Sequence, residues 1–96
     1  MKAIRTAQAG TLESNDIMIT VAPRPSGSGP DIEISSIVMA QYGEAIRNVI
    51  LATLGEQGVA DVHIKAVDRG ALDCTIQARV LTALARSGAI GKEENV

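Results

Sequence analysis

The sequence predicts an α+β domain: a small, mainly antiparallel sheet of about four strands, with two helices packed on one face. Three observations predict it. β-Branched or alternating runs recur at 16–21, 31–35 and 59–67, apolar residues at helical spacing occupy 39–54, and a second helix-forming stretch extends from Gln77. Ninety-six residues make a single domain. A chain of this size removes roughly 60–65% of its unfolded surface from water, which leaves no room for a cleft between two domains.

The elements follow in order. Thr6 to Leu12 is a weak strand of small and polar residues. Asp16 to Val21 is a stronger one, rich in Ile, Val and Thr with few helix formers. Glu13-Ser14-Asn15-Asp16 between them has hairpin-turn chemistry, because Asn and Asp accept turn geometry and bond their own backbone. Residues 23–30, Pro-Arg-Pro-Ser-Gly-Ser-Gly-Pro, form a flexible loop. A phosphate cradle is the lesser reading there, since no Lys-Ser/Thr pair or helix follows.

Asp31 to Ser35 alternates, with Ile32 and Ile34 on one face, as a half-buried strand does. Ser35 or Ser36 then caps a helix whose apolar face is Met39, Tyr42, Ile46, Val49, Ile50 and Leu54 and which ends near Gly55 or Gly58. Val59 to Val67 is a strand with Val62, Ile64 and Ala66 inward and His63 and Lys65 outward. Residues 71–80 satisfy both the two-residue and the helical period; helix is preferred because Ala, Leu, Arg and Gln dominate from Gln77, with Gly88 as its end. The tail 91–96 is charged and frayed.

Composition excludes several functions. Phe and Trp are absent and Tyr42 is the sole aromatic residue, so there is no stacking platform for single-stranded nucleic acid. A net charge of −2 without a basic run removes the footprint of a nucleic-acid or anionic-membrane binder. The single cysteine, Cys74, forms no intrachain disulfide. With no signal-like apolar run at the start and no bilayer-length stretch, the expected location is the cytoplasm. Cys74 reads as a small core residue. His63 reads as a surface strand residue without acidic or Cys neighbours at ligand spacing, so no metal site is expected.

Ser14 is the one hydroxyl set at the tip of the polar turn. It has no base beside it and no Ser/His/Asp arrangement, so it reads as a residue to be modified and not as a nucleophile for turnover. By the turn chemistry alone it is an ordinary turn serine. Thr11, the nearest rival hydroxyl, reads as a ladder residue within its strand, and Ser26 and Ser28 are loop positions open to phosphorylation. Asp68, Arg69 and Asp73 either terminate elements or form part of a docking surface.

Two blocks carry a resemblance. Gly10-Thr11-Leu12-Glu13-Ser14-Asn15-Asp16, followed by a β-rich run, resembles the prosthetic-group site of the citrate lyase acyl carrier proteins, the small gamma subunits. Val67-Asp68-Arg69-Gly70-Ala71-Leu72-Asp73-Cys74-Thr75-Ile76-Gln77-Ala78-Arg79-Val80 is similar to that family's C-terminal signature. The resemblance spans roughly Lys2 to Arg86. Where many members read Glu-Ser-Ser-Asp, this chain has Asn15, so Ser14 is the one serine of the motif.

The resemblance implies a single acyl-carrier domain, 1–96, that is not itself an enzyme. Ser14 would carry 2'-(5''-phosphoribosyl)-3'-dephospho-CoA through a phosphodiester, installed by a dedicated synthase from a triphosphoribosyl precursor; the chain would thus be a phosphoprotein of citrate fermentation. The alpha subunit, an acyl transferase, would exchange acetyl on the arm's thiol for citryl. The beta subunit, a lyase, would release oxaloacetate and restore acetyl. Glu13 and Asp16 would meet basic residues on the synthase or transferase. The carriers of malonate decarboxylase, with a Gly-Ser-Gly-Asp-like site, and of citramalate lyase are the related alternatives. A small binding or assembly module without a covalent group is the alternative of a different class.

Overall fold

A computed structural model describes residues 4–91. The order is β1 (Ala7–Gly10), β2 (Ile17–Pro23), β3 (Asp31–Ser36), α1 (Met39–Gln57), β4 (Val62–Asp68) and α2 (Asp73–Ser87). The expected α+β class and mainly antiparallel four-stranded sheet are present, and 71–80 enters a helix from Asp73. Of the tail expected to fray, 92–96 lie outside the described residues.

The strands lie in the order β1-β2-β4-β3. β2 runs antiparallel to both β1 and β4, and β3 runs parallel to β4. That last pairing follows from connectivity: the chain leaves β3, crosses through α1 and returns as β4, and a crossover of this kind delivers a parallel strand. The alternation of β2 and β4 turns Ile17, Ile19 and Val21, and Val62, Ile64 and Ala66, into the core. Against them pack Ile46, Ile50 and Leu54 of α1 and Ile76, Val80 and Leu84 of α2. The core is aliphatic, and Ile32 and Ile34 of the edge strand β3 reach it only half-buried.

Four local expectations are revised. Met39 and Tyr42 stand at the start of α1, where β3 has already ended at Ser36, so they overhang the sheet and stay exposed. Val38, not a serine, is the N-cap of α1; Ser36 acts one step earlier, its Oγ accepting from the Val38 N–H at 3.0 Å. Cys74 is exposed. The buried stripe of α2 runs through Ile76, Val80 and Leu84, and a residue two positions before Ile76 is rotated about 200° from it. His63 does have acidic neighbours: its Nδ1 lies 2.8 Å from Asp31 Oδ2 and its Nε2 3.5 Å from Glu33 Oε1, both supplied by the parallel strand β3. Among the described residues no His/Cys/Asp/Glu group is arranged to hold a metal ion, and no helix is long and apolar enough to cross a membrane.

The loop at 23–30 follows a path set by hydrogen bonds. The Asp61 carboxylate accepts from the Gly27 and Gly29 amides at 3.0 and 2.9 Å, which lowers its pKa. Arg24 Nη1 donates to the Gly29 carbonyl at 2.7 Å.

Candidate functional site

Glu13 to Asp16 closes the β1–β2 hairpin as a β-turn, the Asp16 amide donating to the Glu13 carbonyl at 3.2 Å. Ser14 and Asn15 are its central pair. Asn15 takes φ 65°, the left-handed conformation that the third residue of a type II turn requires and that Asn tolerates better than most residues. At the foot of the turn Gly10 has φ +101°, and a Cβ there would lie 1.8 Å from the Ile17 carbonyl oxygen. Only glycine lets the two strands close so tightly.

The turn is also held from outside the hairpin. The Asn15 amide donates to the Arg69 carbonyl at 2.7 Å, and the Arg69 amide donates to the Asp16 carbonyl at 2.9 Å. These two bonds prolong the β2–β4 ladder, whose last pair is Ile17 with Asp68. From α2, Arg79 donates through Nε to Asp16 Oδ1 and through Nη2 to Asp16 Oδ2, each at 3.0 Å. The same carboxylate accepts from the Ile17 amide and from Thr11 Oγ1, both at 2.7 Å. Arg79, then Thr11, hold the Asp16 pKa down at about 2. Thr11 thus lies beyond the end of β1, inside the turn network, its Oγ1 also accepting from the Glu13 amide at 3.1 Å.

Beneath the turn Asp68 is buried, 1% exposed. Its carboxylate accepts from Ser36 Oγ at 2.8 Å and from the Gly70 and Ala71 amides at 3.1 and 3.0 Å. It ties the ends of β3 and β4 to the start of α2. The sequence had left Asp68 between terminator and docking residue; its contacts are those of a terminator.

Ser14 is exposed at the apex of this assembly, and among the described residues its Oγ has no hydrogen-bond partner. Glu13 is exposed beside it, and Asp16 is engaged from below. His63 sits five residues back along β4 from Asp68, about 17 Å by strand rise, so it is no base for Ser14. The Ser14 side chain is open to solvent at the apex of a turn held by hydrogen bonds to Arg69 and Arg79. The signal for Arg79 was in the sequence, inside the second block, but nothing there named Asp16 as its partner.

Comparison with known proteins shows the family of the chain. A family profile described as the ACP family, malonate decarboxylase delta subunit (MdcD), matches residues 4–87. The citrate lyase acyl carrier protein of Halothermothrix orenii is 50% identical over 94 residues, 98% of this chain and 97% of that protein. Those of Streptococcus uberis (50% identical, covering 94% of this chain and 87% of the relative) and Serratia proteamaculans (48%, covering 91% and 84%) are similar to it as well. The chain belongs to the citrate lyase acyl carrier protein family. A chain of a Pseudomonas malonate decarboxylase hetero-tetramer, crystallised with malonate, shares the fold at a TM-score of 0.75 and 17% identity, covering 90% of this chain and 87% of that one.

The two blocks that carry the resemblance are one structural unit. Asn15 and Asp16 of the first are bonded to Arg69 and Arg79 of the second. Beside the unit, between the first turns of α1 and α2, lies a groove of about 450 Å³ walled by Val38, Tyr42, Ile46, Ala71, Leu72 and Ile76.

Proposed function

We propose that this chain is the non-catalytic acyl carrier subunit of a citrate lyase, with Ser14 bearing 2'-(5''-phosphoribosyl)-3'-dephospho-CoA. The observation that carries the reading is the free Ser14 hydroxyl at the apex of a turn locked by Asp16 and Arg79. Attachment forms a bond from Ser14 Oγ to the inner phosphorus of a triphosphoribosyl precursor. Diphosphate leaves, and the Oγ proton passes to a base on the synthase. When bound, the group supplies a thiol that carries acetyl and citryl as thioesters.

The chain's own task is placement. The hairpin fixes one end of the arm, and a tether keeps its acyl group at high effective concentration for both the transferase and the lyase subunits. Glu13 is exposed beside Ser14 and offers a negative charge to basic residues of the synthase or transferase. Asp16, expected beside Glu13 as a partner contact, is instead paired with Arg79 with its side chain 13% exposed, and it positions the turn. The −2 net charge supports a carrier over a nucleic-acid binder.

The test is peptide mass spectrometry after co-expression with a synthase shown to be active. An adduct on Ser14, lost in Ser14→Ala while the melting temperature is unchanged, is the expected result. An unmodified Ser14 overturns the reading in favour of a module without a covalent group. The description of the matching family profile raises a second acid: with malonate decarboxylase partners the thiol of the same arm would carry malonyl. Acyl exchange on the loaded carrier with purified citrate lyase or malonate decarboxylase transferase separates the two.

A further inference from the structure

Resting on the carrier reading, we infer that the groove between α1 and α2 shelters the acetyl-bearing end of the arm and rejects acyl groups that carry carboxylates.

Three observations on the page converge. The first is position. The register places Ile17, Asp68 and Ser36 side by side, so the Ser14 turn, the end of β4 and the entrance to α1 share one end of the sheet. Gly70 belongs to both places: it lines the groove, and a Cβ built on it would lie 3.6 Å from Asn15 Oδ1. An arm leaving Ser14 therefore meets the groove by crossing Asn15 and Gly70.

The second is lining. In a chain of this size, exposed large apolar side chains gathered at one spot mark a contact surface. Tyr42, 53% exposed, and Leu72, 70% exposed, stand on the two walls, over a floor that includes Ile46 and Ile76. The volume suits a small ligand. The third is charge. The exposed acidic residue of the lining is Asp73, Asp68 being buried and satisfied by Ser36, Gly70 and Ala71, and no basic residue lines the groove. A neutral acetyl thioester enters such a site without an electrostatic penalty, whereas citryl brings carboxylates toward like charge and stays outside. The groove thus withholds the acetyl thioester from water and leaves the citryl form extended for the lyase.

Tyr42, the sole aromatic residue, is a built-in reporter. Acrylamide quenching of its fluorescence is compared in the isolated apo carrier and in holo carriers whose arm thiol bears acetyl or succinyl, with loading of Ser14 established by mass spectrometry. The quenching constant is expected to fall severalfold in the acetyl form and to stay at the apo value in the succinyl form. Leu72→Asp, at an exposed position, should restore full quenching of the acetyl form at unchanged melting temperature; Asp73→Asn should let the succinyl form protect Tyr42. Equal quenching of apo and acetyl-holo proteins, both confirmed by mass, overturns the groove assignment and leaves the carrier reading standing. Failure of Ser14 to load overturns both.

Discussion

Arg79 grips both carboxylate oxygens of Asp16 across sixty-three positions of sequence, at 3.0 Å each. The pair joins the middle of α2 to the turn that presents Ser14. Asp16 is the more buried member, its side chain 13% exposed against 39% for Arg79. Arg79→Ala therefore leaves a largely buried carboxylate without its cation. The expected loss is about 1–2 kcal/mol, kept modest by the solvent that still reaches Arg79. Arg79→Lys should recover only part of it, since an ammonium cannot reproduce the two-pronged contact. Urea unfolding midpoints of the three proteins decide this.

The same pair makes stability depend on acid. The Arg79 guanidinium, followed by the Thr11 hydroxyl, lowers the Asp16 pKa from 3.8 to about 2. A carboxylate with a depressed folded pKa contributes stability that is fully present above the unfolded value and is lost as pH falls through the folded one. The melting temperature should accordingly drop as pH is lowered from about 4 to about 2. The Asp16 carboxyl carbon, followed by NMR, should titrate near the bottom of that window in the native protein and higher in Arg79→Ala.

Gly10 is the foot of the hairpin, with Ile17 carbonyl oxygen in the place of any Cβ. The contact is with backbone, so no rotamer change relieves it. Gly10→Ala should cost on the order of 3 kcal/mol and displace the Ser14 turn. At Asn15 the constraint is conformational: φ is 65° and the residue is exposed. Asn15→Gly should lie within about 0.5 kcal/mol of the parent, and Asn15→Val should lose about 1–2 kcal/mol. Thermal unfolding measures stability, and the fraction of Ser14 loaded by the synthase measures turn geometry.

Asp68 has the most buried carboxylate of the described residues. Its removal strands Ser36 Oγ and the Gly70 and Ala71 amides. Asp68→Ala should cost about 2–4 kcal/mol. Hydrogen exchange should accelerate first at Gly70 and Ala71, whose amides depend on it, before the amides of α2 respond.

Six elements in the right order, the hairpin at Ser14 and the helix ending near Gly55 or Gly58 were legible in the chain, because each rests on interactions among near neighbours, and the structure ends that helix at Gly58. Alternation in 17–21 and 62–66 and the spacing of Ile76, Val80 and Leu84 are such signals. Cys74 was misplaced because, once 73–87 is a helix, it turns away from the stripe of Ile76, Val80 and Leu84; Met39 and Tyr42 were misplaced for a different reason. Periodicity names a helix face, but only the length of the neighbouring strands says whether that face has anything to cover. The acidic neighbours of His63 were invisible too, since a parallel partner strand brings them.

By itself, then, the sequence determined the α+β composition, the aliphatic core and the polar turn that holds Ser14, all of which follow from local propensity, the two short periods and the residues of one turn. The tertiary structure alone decided the strand order β1-β2-β4-β3, the grip of Arg79 on Asp16 and the groove beside Ser14. Those depend on which distant segments share a sheet and in what register. That choice is made by burying the two helices over the sheet as a whole, and no window of neighbouring residues encodes it.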